Sequence, residues 1–70
     1  KLIEAEKFAQ RALVMHPDQS AYLDTMAEIQ FAMGKRAKAV EWSTRAVNFM
    51  PLDSLLRRQH ERFLNGALPR

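Results

Sequence analysis

Cysteine is absent from the 70-residue sequence, which excludes a disulfide framework and a cysteine-ligated metal and leaves the redox compartment unassigned. No run of about 18 apolar residues occurs, so we expect no membrane-spanning segment. A signal-peptide pattern is lacking as well. Because the sequence opens on Lys1 within a helical pattern, we expect it to be a piece of a longer protein, in which a targeting segment could lie elsewhere.

Residue patterns that carry chemistry are also scarce. Two glycines cannot form a glycine-rich phosphate loop, and the two histidines lie 44 positions apart, without a metal-binding spacing. We expect His60 to pack between helices and His16 to be solvated. Spacing suggests no histidine partner for Ser43 or Ser54. The sequence therefore predicts neither an enzyme nor a cofactor or metal site.

The charge is distributed unevenly along the chain. The formal net charge is +3 and the pI about 9.8, values that alone would be compatible with a nucleic-acid partner. Residues 18–34 carry −3, however, whereas residues 35–51 carry +3. Opposite charges on neighbouring helices favour complementary packing. We therefore expect no nucleic-acid partner, and we expect the basic cluster of Lys35, Arg36 and Lys38 to be solvated.

Matching residues recur 34 positions apart along the chain. The pairs include Ala5 and Ala39, Phe8 and Trp42, Arg11 and Arg45, Ala12 and Ala46, Pro17 and Pro51, and Ser20 and Ser54. A recurrence of this length, with two helices per unit, is typical of a helical solenoid. The fold class expected is therefore all-α, an array of about four antiparallel helices.

Apolar spacing and turn residues predict where the helices lie. They cover residues 2–15, residues from the turn at 18–20 to 33, residues 36–49 and residues 55–65. We expect Pro17 and Pro51 to follow helix ends, and Gly34 and Gly66 to adopt left-handed conformations. Asp18 or Ser20 should cap the second helix, and Asp53 or Ser54 the fourth. Residues 67–70 should form a frayed tail.

Apolar rows indicate how these helices pack. The second helix carries two rows and should lie between neighbours. Small residues on the third helix should allow another helix to approach closely. The fourth helix should pack through three apolar residues. The two rows of the second helix are Tyr22, Met26, Ile29 and Met33, and Leu23, Ala27 and Phe31. The row of the third helix is Ala39, Ser43, Ala46 and Met50, and the apolar residues of the fourth are Leu56, Phe63 and Leu64.

The helix pair at 20–51 resembles a tetratricopeptide repeat. Gly34, Ala39, Ala46 and Pro51 match that family's pattern, as does the small residue Ala27. The resemblance implies one domain over residues 1–70. Residues 1–17 would be the second helix of a partial repeat, residues 20–51 a full helix pair, and residues 54–66 a terminal capping helix.

The resemblance also implies a function and a site. Proteins of this family act as scaffolds that bind a peptide segment of a partner protein in a groove lined by the first helix of each pair. The positions carried over to this groove are Ala21, Asp24, Glu28 and Phe31 on the second helix, and Leu55, Arg58, Arg62 and Asn65 on the fourth.

The residues leave two alternatives open at these positions. Arg58 and Arg62 could bind an acidic ligand, or they could pair with Asp24 and Glu28 across the helices, which is the interpretation we favour. Trp42 and its counterpart Phe8 could likewise form an aromatic strip on the convex face, or simply pack within the helix pair.

A structural role is the alternative to peptide binding. In that case the module packs on neighbouring repeats or on a second copy of itself and has no separate ligand. The first helix carries Phe8 and Leu13 but has no helix before it in the sequence to cover them. Because leaving apolar surface in water is costly, we expect a two-fold homodimer through this helix.

Overall fold

The structure of the protein is a computed structural model that describes residues 1–66. These residues form four α-helices and no strands. The helices are α1 (Leu2–Met15), α2 (Ser20–Ala32), α3 (Arg36–Phe49) and α4 (Ser54–Leu64). The expected all-α class is confirmed, and each predicted helix agrees with the structure to within one or two residues. The expected frayed tail at 67–70 lies outside the described residues.

Proline and glycine end the helices as their backbone restrictions predict. His16, before Pro17, has φ −137° and ψ 72°, and Met50, before Pro51, has φ −132° and ψ 66°. Both residues lie outside the helical conformation, which the ring of the following proline disfavours. Gly34 has φ 80° and Gly66 has φ 65°, which are the left-handed conformations predicted for these two positions.

The two expected N-caps have different outcomes. The Asp53 carboxylate accepts hydrogen bonds from the amides of Leu55 and Leu56 at 3.0 and 3.1 Å, so this cap is confirmed. The cap expected from Asp18 or Ser20 on α2 is wrong. Gln19 occupies the N-cap position without a side-chain hydrogen bond, because Ser20 is already the first helical residue and Asp18 lies one position too early.

Helix α2 lies between its neighbours and contributes more buried apolar residues than any other helix. It packs against α1 on one side and α3 on the other. Its buried apolar residues are Leu23, Met26, Ala27, Ile29 and Phe31. The expected sandwiched position is thus confirmed, although two members of the predicted rows are less buried. Tyr22 is exposed, with its ring 6.0 Å from that of His16, and Met33 is half-buried.

The small residues of α3 and the apolar residues of α4 complete the packing. Ala39, Ser43 and Ala46 are buried, as expected for a close helix approach. Met50, the last member of the predicted row, is exposed because α3 ends at Phe49. On α4, Phe63 is fully buried, but Leu64, which was expected to make apolar contacts, is exposed. Leu64 lies one residue, or about 100° of helix rotation, beyond Phe63, and it therefore leaves the buried face.

Arg36 has a different role from the solvated one expected for the basic cluster. Its Nε donates a hydrogen bond to the carbonyl of Phe63 at 2.9 Å, and its Nη2 donates to the carbonyl of Leu64. These carbonyls belong to the last turn of α4, and no further helical turn follows whose amides could donate hydrogen bonds to them. The start of α3 thus caps the end of α4.

Candidate functional site

A concavity of about 590 Å³ lies along α4 and reaches α2. Four of its residues, Leu55, Arg58, Arg62 and Asn65, are spaced three, four and three positions apart and share one face of α4. Together with Asp24 on α2, they are five of the eight residues expected in the groove. We call this concavity the α2–α4 groove.

Three lining residues were missed by the sequence interpretation. They are Leu56, Gln59 and Glu61. The carried-over positions follow a single helical row, whereas the concavity also takes in the residues beside that row. Their position on a short amphipathic helix is the sequence feature that could have indicated them.

The other three expected residues lie outside the lining of the α2–α4 groove. Ala21 is exposed, and its carbonyl accepts a hydrogen bond from the Thr25 hydroxyl. Glu28 forms an ion pair with Arg62. Phe31 is only 8% exposed, and its ring centroid lies 4.8 Å from that of Phe63. The phenyl ring is part of the core because it packs against α4 rather than facing solvent.

Arg62 is held by contacts on several sides. Its Nη2 donates to Oε1 of Glu28 at 2.9 Å. Its guanidinium carbon lies 5.6 and 5.2 Å from the ring centroids of Phe31 and Phe63, which is within cation–π range. Its Nε is buried and has no hydrogen-bond partner among residues 1–66. Arg62 is therefore an oriented cation, paired with Glu28 and packed on two aromatic rings.

The expected pairing between α2 and α4 forms at one position and not at the other. Glu28 and Arg62 form the ion pair described above. Within residues 1–66, by contrast, no ion pair joins Asp24 to Arg58, although both side chains line the same groove. Arg58 thus keeps its charge available at the groove surface.

Asp24 adds a carboxyl group with an altered acidity. Burial raises its pKa above the ordinary 3.8, because the charged form loses hydration. The negative charges of Glu28 and Asp53 act in the same direction, whereas the positive charge of Arg62 opposes them. The groove therefore contains an acidic group that is more readily protonated than a surface aspartate.

Ser43 has a histidine partner that its spacing did not suggest. Its Oγ lies 2.6 Å from Nδ1 of His60 and 3.1 Å from the carbonyl of Val40. The contact joins α3 to α4, in line with the packing role expected of His60. Ser43 is 1% exposed, so a substrate cannot reach its hydroxyl and the pair has the environment of a structural contact.

Trp42 borders a second concavity, of about 460 Å³, between α1 and α3. The residues that line it are Gln10, Leu13, Val14, Pro17, Trp42 and Arg45. Trp42 is half-buried and packs against the core, whereas its counterpart Phe8 is 68% exposed. Of the two alternatives, packing therefore describes Trp42, and Phe8 remains on the surface.

No protein-family model, curated protein or solved structure matches this chain. Across residues 1–66, no helix combines the length and apolar character needed to cross a bilayer. In the same part of the chain, no three histidine or acidic side chains are grouped in a way that could hold a metal ion.

Proposed function

We propose that this chain is a protein-interaction module of the tetratricopeptide type, without chemistry of its own, which binds a peptide segment of a partner in the α2–α4 groove. The observation that carries the proposal is that five of the eight groove positions carried over from the family line one concavity. Concave sites with a few convergent polar groups are where proteins usually bind ligands.

The helix boundaries support the proposed repeat. Helices α1 and α3 have the same length and begin 34 positions apart, and α2 and α4 also begin 34 positions apart. The backbone angles recur at the same offset. Gln19 has φ −79° and ψ 110°, and Asp53 has φ −75° and ψ 110°. His16 and Met50 agree within 6° in both angles.

The side chains of the groove favour an acidic peptide. Arg58 and Arg62 lie one helical turn apart, and the guanidinium of Arg58, which is exposed and has no ion-pair partner among residues 1–66, suits a carboxylate acceptor. Asn65 adds an amide one turn further along. Leu55 is largely exposed at the other end of this row, where it can contact an apolar side chain of the peptide.

The proposal can be tested by selecting peptides from a random phage-displayed library for binding to the unmutated 70-residue chain, called the parent chain below. We expect acidic sequences to be enriched. Arg58→Glu should then weaken their binding at least about ten-fold, because a repulsive charge replaces an attractive one. Arg57→Glu is the matched control, since Arg57 is an exposed neighbour on α4 outside the groove lining.

Two results would contradict peptide binding in the groove. One is that selected peptides bind Arg58→Glu as tightly as the parent chain. The other is that Arg57→Glu and Arg58→Glu weaken binding equally, which would indicate a general effect of net charge. Both variants should keep the helical circular dichroism of the parent, because both side chains are exposed.

A structural module is the second candidate function. The exposed apolar residues of α1, which include Phe8, Val14 and Met15, favour it, because a surface of this kind marks an interaction site. In this proposal the chain packs on neighbouring repeats or forms a homodimer through α1. Sedimentation at micromolar concentration distinguishes the homodimer, which would have about twice the 8.1 kDa mass of the monomer.

A further inference from the structure

The α2–α4 groove contains a carboxylate that the described part of the chain does not neutralise. Asp24 lines the groove and is half-buried. Among residues 1–66 its side chain accepts no hydrogen bond and forms no ion pair. A carboxylate that loses part of its hydration without gaining a partner is destabilised in its charged form. A cation bound beside Asp24 would remove this cost.

The charges around Asp24 also favour a cation. Burial is the largest cause of the raised pKa of Asp24, and the negative charges of Glu28 and Asp53 add to it. The positive charge of Arg62 acts against them, but its Nη2 donates to Glu28 at 2.9 Å, so that charge is shared between two carboxylates. Because the neighbouring guanidinium is already paired, the α2 side of the groove attracts a further positive group.

The lining of the groove as a whole carries both signs of charge. Its charged residues are Asp24 and Glu61, which are negative, and Arg58 and Arg62, which are positive. Since Arg62 pairs with Glu28 outside the lining, Arg58 faces two carboxylates that have no ion-pair partner among residues 1–66. A purely acidic peptide would be attracted by Arg58 and repelled by both carboxylates, and like charges brought together oppose binding. Asp24 gains most from a cation, because Glu61 is exposed and keeps its hydration.

We propose that the peptide bound in the α2–α4 groove carries a lysine or arginine that pairs with Asp24, beside an acidic residue that pairs with Arg58. Asp24 and Arg58 are 34 positions apart, as are Glu28 and Arg62. The second pair closes between the helices, whereas one helical turn earlier the first pair stays open. A peptide lying between α2 and α4 at that turn would contact both charges. This inference rests on the proposed peptide binding and specifies a mixed-charge peptide.

The first part of the test is selection of the random phage-displayed library in parallel on the parent chain and on Asp24→Asn. The substitution removes the charge but keeps the size of the side chain. We expect the parent chain to enrich peptides with a basic and an acidic residue at a constant spacing. Asp24→Asn should enrich the acidic residue without the basic one.

The second part measures the pairing itself. A fluorescein-labelled copy of the most enriched peptide is titrated with each chain while fluorescence anisotropy is recorded. Asp24→Asn should raise the Kd about ten-fold, since a hydrogen bond to a charged group contributes about that factor. Glutamine in place of the basic residue of the peptide should weaken binding to the parent chain equally, and should have little effect on binding to Asp24→Asn. Asp18→Asn is the matched control, because Asp18 is exposed outside the groove lining and the substitution changes the net charge equally.

The possible failures are distinguishable. Acidic peptides that need Arg58 but bind Asp24→Asn as tightly as the parent chain would refute this inference and leave the proposed function standing. Peptides that depend on neither residue would refute both. Equal weakening by Asp18→Asn would indicate a general effect of net charge and overturn the inference. Coupling between Asp24 and Arg58 in urea unfolding of the free chain would overturn it as well, because the two side chains would then neutralise each other. A parent chain with about twice the 8.1 kDa monomer mass, which Asp24→Asn converts to monomer, would assign the two charges to a second copy instead.

Discussion

Replacing Ala46 with leucine should destabilise the protein substantially. Ala46 is 1% exposed and lies in the cluster formed with Leu23, Met26 and Ile29. Leucine adds three carbon atoms where α3 approaches α2 closely. Overpacking of this kind costs about 1–3 kcal/mol. A domain of 70 residues has a free energy of unfolding of about 4–10 kcal/mol, so the loss is a large fraction of the total.

Thermal unfolding followed by circular dichroism measures this loss. In a domain of this size, about 1 kcal/mol corresponds to a shift in Tm of about 4–8 °C, so Ala46→Leu should lower Tm by at least about 4 °C. Urea unfolding would give the free energy directly. Alanine and leucine have similar helix propensities, and the effect therefore reports packing.

Ala12→Leu is the matched control for this prediction. Ala12 lies 34 positions before Ala46 on α1 but is only half-buried. A leucine there meets solvent, and the free energy of unfolding should change by no more than about 0.5 kcal/mol. If Ala46→Leu had the same Tm as the unmutated protein, or if both variants were equally destabilised, the proposed packing of α2 on α3 would be wrong.

Three further predictions concern individual side chains. Arg36→Met removes two hydrogen bonds to the end of α4 and should lower the free energy of unfolding in urea by about 1–2 kcal/mol; an unchanged value would argue against the cap. Burial raises the pKa of Asp24, so its ionisation opposes folding at neutral pH. Asp24→Asn should therefore raise Tm at pH 7, with a gain that shrinks as pH falls through the raised pKa toward 3.8 and is absent below 3.8; a gain that persists below 3.8 would refute this cause. A double-mutant cycle on Glu28 and Arg62, which are both partly exposed, should give a coupling of about 0.5–1 kcal/mol, and no coupling would mean that the pair contributes nothing.

The helices could be predicted from the sequence because local chemistry sets their ends. Pro17 and Pro51 restrict the residue before them, and Gly34 and Gly66 adopt backbone angles that other residues rarely take. The small residues of α3 and the apolar rows of α2 then identify the buried faces. Each of these features depends on residues that are close together in the sequence, and the sequence pattern alone therefore identifies it.

Side-chain contacts between distant residues could not be predicted in this way. Arg36 bonds carbonyls 27 and 28 positions away, and the partner of Ser43 is 17 positions away. Gln30, which is buried, donates to Glu6 at 2.6 Å across 24 positions. Each contact depends on the rotation and depth of two packed helices, which sequence spacing does not specify. For the same reason, only one of the two expected pairs between α2 and α4 forms.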